Sequence, residues 1–245
     1  MSYLLRTLII IVLVTVWWLI VALTGVPAYI LPTPWAVAKV FYHQSGLIIS
    51  EARYTVTVTL VGFALSIVFA CITALVMAYY RYCHYWLFPI LLASQALPTF
   101  ALAPLLVVWL GYGMTSKIVL TIIMLFFPIT SAFYDGLMNT PQAALDLSHS
   151  MRAHPLRILL HIRIPYALPS LGTGLRVGST YAPLGAIVGE WIGSNHGLGY
   201  LLLNANAHLQ INMMFAVLIV VIALTLAFYF TVDCLLKRWL YWSRY

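Results

Sequence analysis

Long apolar windows alternate along this chain with short stretches where charge and proline gather. Six windows reach the length of about 20 residues that a helix needs to span a bilayer core. They cover about 7–25, 55–80, 86–110, 117–137, 168–193 and 213–236. The pattern predicts an all-α, polytopic membrane protein with six transmembrane helices. A single transmembrane domain takes up residues 1–245. The first window follows Arg6 and outlasts the apolar core of a cleaved signal peptide, so it reads as an uncleaved span.

Composition agrees. Of 245 residues, 64% are apolar and 7% charged, against about a quarter charged in a soluble domain. So few charges cannot coat a water-exposed surface. Such apolarity also excludes disorder, and the spans leave no room for a soluble catalytic domain.

The few charges orient the chain. Twelve basic residues face five acidic ones, for a net charge of +7. With the N-terminus inside, Arg6, Arg81, Arg152, Arg157, Arg163, Lys237, Arg238 and Arg244 fall on the cytoplasmic side. Lys39, Arg53 and Lys117 fall outside, and Arg176 lies within the fifth span. The positive-inside rule then puts both termini in the cytoplasm, which requires an even number of spans. Membrane lipid is the surrounding partner, and no basic stripe interleaved with aromatics points to nucleic acid. Cys71, Cys83 and Cys234 are far apart, and the seven histidines form no ligand cluster, so no metal site is expected.

The spans differ among themselves. The third carries Pro89, Pro98 and Pro104, and the fifth carries Pro183. Proline frees backbone groups, so these spans are expected to be broken and to face protein or a water-filled pathway. Ser94, Gln95 and Thr99 beside the kinks, with Ser179, Thr180 and Tyr181 in the fifth span, are candidate pathway groups. Glu190 ends the fifth span as a further one, and Arg176 has Asp135 as a possible partner. A stripe of Gly174, Gly178, Gly185, Gly189 and Gly193 marks a close packing seam, within the chain or between two copies. Residues 26–54 form an outer segment in which Leu31-Pro32-Thr33-Pro34 opens a short interfacial helix.

The longest polar stretch is a cytoplasmic loop over 138–169. It reads as two short helices, one capped by Thr140 with Pro141 at its first position, the other from Pro155 to Ile164. Leu156, Leu160 and Ile164 share one face of the second, and Arg157 and His161 another. The apolar face has nothing in the chain to bury against and suits a groove on a partner.

This loop resembles the EAA loop of ATP-binding-cassette importer permeases. The family pattern is E-A-A, three residues, Gly, nine residues, then I-x-L-P. Ile162-Arg163-Ile164-Pro165 matches its end, Asp146-Leu147-Ser148 stands at E-A-A, and Arg152 at the glycine. Glu190, followed after six residues by Gly197-Leu198-Gly199-Tyr200, resembles one branch of the family. That branch takes nitrate, sulfonates, taurine and thiamine pyrimidine precursors. Ala103-Pro104-Leu105 and Trp109-Leu110-Gly111 fit its third span, whereas Val58 stands where it usually has arginine.

The resemblance implies a permease subunit, not an enzyme, in a bacterial inner membrane. It implies that two such subunits, here as a homodimer, enclose the pathway. An extracytoplasmic binding protein delivers a small solute. A separate ATPase docks on Asp146, Leu147, Ser148, Arg152, Leu156, Arg157, Leu160, Ile162, Ile164 and Pro165. The chain has no phosphate-binding loop of its own, so it needs no cofactor and the partner binds ATP. A secondary transporter would show internal repeats and midplane charges. A membrane-embedded enzyme would gather titratable groups at one point. The sequence offers neither.

Overall fold

The computed structural model describes residues 3–242. Arg244 and the side chains of Arg6 and Arg81 lie outside the described residues. All elements are helical: α1 (Tyr3–Thr24), α2 (Pro34–His43), α3 (Ser45–Tyr79), α4 (Arg81–Ala96), α5 (Thr99–Leu110) and α6 (Met114–Met138). They continue with α7 (Gln142–Ser150), α8 (Pro155–Ile158), a π-helical turn (Leu159–Arg163), α9 (Ile164–Trp191), α10 (Leu198–Ala207) and α11 (Ile211–Trp239).

Among the described residues, α3, α6 and α11 are long and apolar enough to cross a membrane. The α4–α5 pair is a fourth if its two arms form one span. The third predicted span is thus not continuous: α4 and α5 meet at 100° across Leu97–Pro98. Pro98 cannot donate to the turn before it, and it holds Leu97 in an extended conformation (ψ 123°). Pro89 and Pro104 stay inside their helices. The second predicted span also starts ten residues too late, because α3 begins at Ser45 and carries Glu51 and Arg53.

The centre of the bundle is α6, packed between α3 and α9. Phe63, Leu125, Ile129, Phe133, Leu171 and Leu175 bury a common core there. The glycine stripe explains the closeness. A methyl on Gly174 would lie 2.8 Å from Ala132 Cβ, one on Gly185 3.2 Å from Thr121 Cα, and one on Gly189 3.1 Å from Lys117 Cα. The seam left open between two readings therefore runs within the chain, along α6. On the periphery, Trp17 of α1 donates to Pro32 O (3.1 Å) and stacks on Phe215. The expected interfacial helix is α2, capped by Thr33, whose hydroxyl accepts from Ala36 N–H (3.2 Å).

Candidate functional site

Three arrangements bring polar groups together. The first is the loop between α6 and α9. Its first helix starts at Gln142, and Thr140 does not cap it: the hydroxyl donates back to Leu137 O (3.1 Å). Gln142 Nε2 donates to Asp146 Oδ1 (3.0 Å), one turn along the exposed face. The turn after α7 is closed by Ala153 N–H on Ser148 O (3.0 Å) and requires a left-handed residue. Arg152 supplies it at φ 54°. The turn that glycine makes in the family pattern is therefore kept, at the conformational cost a side chain bears there.

The second predicted loop helix is not a separate element. α8 runs through the π-turn into α9, and Pro165 and Pro169 sit in the first turns of α9 without breaking it. Ile158 and Leu159 turn inward and are buried, while Leu156 and Leu160 stay exposed as expected. A groove of about 510 Å³ opens between α7 and the π-turn. Of the predicted docking residues, Leu147, Ser148, Arg152, Arg157, Ile162 and Pro165 line it; Asp146, Leu156, Leu160 and Ile164 do not. Leu147 is 64% exposed and Met151 75%, an apolar pair that nothing among the described residues covers.

The second arrangement is a cavity of about 310 Å³ at the α4–α5 break. Ser94, Gln95, Thr99 and Tyr181 line it, with Met124, Phe127 and Pro128 of α6. Ser179 and Thr180 do not: Ser179 is buried and donates to Arg176 O (2.7 Å), and Thr180 donates to Val177 O (2.7 Å). The fifth span thus turns only Val177 and Tyr181, one helical turn apart, toward this cavity.

The third lies at the opposite end of the bundle from the loop. Glu190 is fully buried there, not set in interfacial water. Three successive N–H groups at the start of α10 are taken up by side chains of α3 and α9. Gly197 N–H donates to Glu51 Oε2, Leu198 N–H to Thr55 Oγ1 (2.9 Å) and Gly199 N–H to Glu190 Oε2 (2.8 Å). The Thr55 hydroxyl donates on to Glu190 Oε2 (3.0 Å). These are the donors that a helix start leaves unpaired, and carboxylates suit them. The spacing of the Glu190 and Gly197-Leu198-Gly199-Tyr200 motif thereby gains a physical reason.

Lys117, expected on an outer loop, is fully buried beside this cap. Its ammonium donates to Tyr112 O (2.6 Å), Gly113 O (2.9 Å) and Gly193 O (2.7 Å), which ties the α5–α6 turn to the end of α9. Arg176 pairs with Asp233 of α11 (2.7 Å) instead of Asp135, which is exposed, and Lys237 joins the same carboxylate (2.6 Å). Sequence reasoning missed Glu51, Thr55, Lys117 and Asp233. The four-residue spacing of Glu51 and Thr55, which puts both on one face of α3, was the one available signal.

Residues 66–241 match the family of binding-protein-dependent transport system inner membrane components. A probable ABC transporter permease protein of Haemophilus influenzae is 45% identical over 232 residues, covering 95% of this chain and 94% of that protein. The formylaminopyrimidine transport permease protein ThiX of Halalkalibacterium halodurans is 37% identical, covering 79% of this chain and 78% of its own length. The riboflavin transport system permease protein RibX of Chloroflexus aurantiacus is 33% identical, at 93% and 87%. The solved inward-facing MetNI methionine ABC transporter shares the fold, with a TM-score of 0.69 at 19% identity over 80% of this chain and 97% of that one. This chain therefore belongs to the binding-protein-dependent transport inner membrane component family, as an ABC transporter permease and not an enzyme.

Proposed function

We propose that the chain is the membrane-spanning subunit of an importer, and that a separate ATPase drives it through the loop that carries α7. Two copies enclose the pathway, each with six spans and both termini in the cytoplasm. An extracytoplasmic binding protein delivers the solute at the end of the bundle that holds Glu190. The solute is of the small class carried by the relatives, which include permeases for formylaminopyrimidine, riboflavin, aliphatic sulfonates and taurine. The observation that carries this reading is the exposed pair Leu147 and Met151, hung on a loop whose second half runs on into α9. An ATPase groove that grips α7 would push on α9 directly.

The test is co-purification with a co-expressed ABC-type ATPase from the same organism. Leu147→Glu places a charge in the middle of the proposed contact, where loss of a hot-spot side chain costs about 2 kcal/mol or more. The ATPase should be retained by the parent chain and lost from the variant, with helicity unchanged by circular dichroism. Undiminished retention by the variant, or solute uptake by the chain alone on an ion gradient, would overturn the reading.

A further inference from the structure

We infer that the cleft between the end of α3, the end of α7 and the π-turn binds the headgroup phosphate of an anionic phospholipid. The inference goes beyond the importer reading and needs only that the chain spans a membrane.

The cleft encloses about 170 Å³. That is below the range of pockets for drug-sized ligands. One side of it is cationic: Arg163 comes from the π-turn and His149 from the last turn of α7. Arg163 is half-buried and makes no hydrogen bond or ion pair among the described residues. Its counter-charge does not come from the chain. Of the five acidic residues, none lines the cleft. Glu51 and Glu190 cap α10 at the other end of the bundle. Asp233 is shared by Arg176 and Lys237, Asp146 accepts from Gln142, and Asp135 is exposed on α6. A partly desolvated guanidinium without a counter-charge calls for an anion, and its fork of N–H groups matches phosphate oxygens.

The opposite wall separates a lipid from a free phosphate. Ala78, Ile158 and Leu159 form it, and Ile158 and Leu159 are buried. A free phosphate would lose hydration against that wall and gain nothing from it. The glycerol and first methylenes of a lipid would gain from covering it. The depth in the membrane agrees. Tyr79 lines the cleft and meets Tyr80 edge-on, with ring centroids 4.7 Å apart. Tyr80, Tyr82 and Trp86 continue from it as exposed aromatics, and Trp239 and Tyr241 are exposed at the end of α11. Such aromatics sit at headgroup level, where basic pockets between helices take anionic headgroups. The cleft shares only Ile158 with the groove beside α7, so the two are separate openings.

The experiment is native mass spectrometry of the full chain released from nanodiscs of equal parts phosphatidylglycerol and phosphatidylcholine. The parent should retain phosphatidylglycerol in preference. Arg163→Gln should lower that retention roughly fivefold, and His149→Gln should lower it less. Arg238→Gln, exposed at the same end but outside the cleft, should leave it unchanged. Circular dichroism checks the fold of each variant; if Arg163→Gln loses helicity, His149→Gln carries the test. Equal retention of the two lipids by the parent, or equal losses from Arg163→Gln and Arg238→Gln, overturns the site, because a general positive surface then suffices. Displacement of the lipid by inorganic phosphate would make the site one for a soluble anion and overturns the lipid assignment. Exclusion of phosphatidylglycerol from the permease–ATPase complex would give Arg163 to an acidic group of the ATPase and overturns it as well.

Discussion

A lysine with no water around it must spend all three of its protons inside the protein, and Lys117 does so on Tyr112 O, Gly113 O and Gly193 O. Lys117→Met keeps the stem and removes the donors, so Tyr112 O and Gly193 O lose this partner while Gly113 O keeps the Ser116 hydroxyl (3.0 Å). Losing one side of such an arrangement outweighs the relief of desolvating the ammonium. The chain should lose about 1–3 kcal/mol of stability, read as a lower melting midpoint in detergent. An unchanged midpoint would mean that water reaches those carbonyls. Gly197 faces a different constraint. Its φ of 106° suits glycine almost alone, and a methyl group there would overlap the Glu190 carboxylate. Gly197→Ala should destabilise by about 3 kcal/mol, from backbone strain before the overlap is counted. Proteinase K sensitivity of the α9–α10 connection checks it: cleavage should quicken in the variant, and equal rates would refute the prediction. Sequence could mark Gly197 and Glu190 as a spaced motif. It could not show why, because the other members of the cap, Glu51 and Thr55, lie 139 and 135 residues before Glu190.

At the scale of elements, α9 links the two ends of the molecule. It runs unbroken for 28 residues from the π-turn to Trp191, about 42 Å at the α-helical rise. Its glycines keep it against α6 along that length, so movement at the loop reaches the Glu190 cap through one packed rod. Sequence periodicity found this helix and its seam but cut it at Pro165 and Pro169. Both prolines sit in a continuous helical run, Pro165 just after the π-turn and Pro169 inside α9, and the run carries on past each of them. Conversely, the break at Pro98 was read as a kink within one span, since periodicity gives no angle. The π-turn has no sequence signature at all; it adds a residue to the turn and brings Ile158 and Leu159 inward together. The loop's other turn is testable. Arg152 holds φ 54°, where an L side chain costs roughly 1 kcal/mol. Arg152→Gly should therefore raise the melting midpoint slightly, and Arg152→Val should lower it. If glycine also destabilised, the arginine side chain would be contributing contacts that outweigh its strain.

For the whole molecule, the open quantity is the number of crossings: α3, α6 and α11 are long and apolar enough, and the bent α4–α5 pair is a fourth if its arms form one span. α3 starts with Glu51 at the Glu190 end and finishes with Tyr79 against Ile158 and Arg163 at the loop end. α6 starts with Lys117 at the Glu190 end. The pair joins opposite ends of the bundle across a 100° bend, the arrangement expected of a single broken span. Charge counting reached an even number of spans without this geometry, because the positive-inside rule reads loops and is blind to the shape of what joins them. It misplaced Lys117 for the same reason: a single buried cation is invisible to a count. Parity gives the test. In a chain freed of Cys71, Cys83 and Cys234, single cysteines are placed at Tyr29 and Met151, which are 71% and 75% exposed. In the proposed six-span topology Tyr29 follows one crossing. Met151 follows four if the pair traverses, and three if it dips in and returns. A membrane-impermeant maleimide added to intact spheroplasts should label Tyr29→Cys at once and Met151→Cys only after permeabilisation. Labelling of both from the outside would make the pair re-entrant and reduce the span count to five, which would place the α7 loop and the proposed ATPase on opposite sides of the membrane.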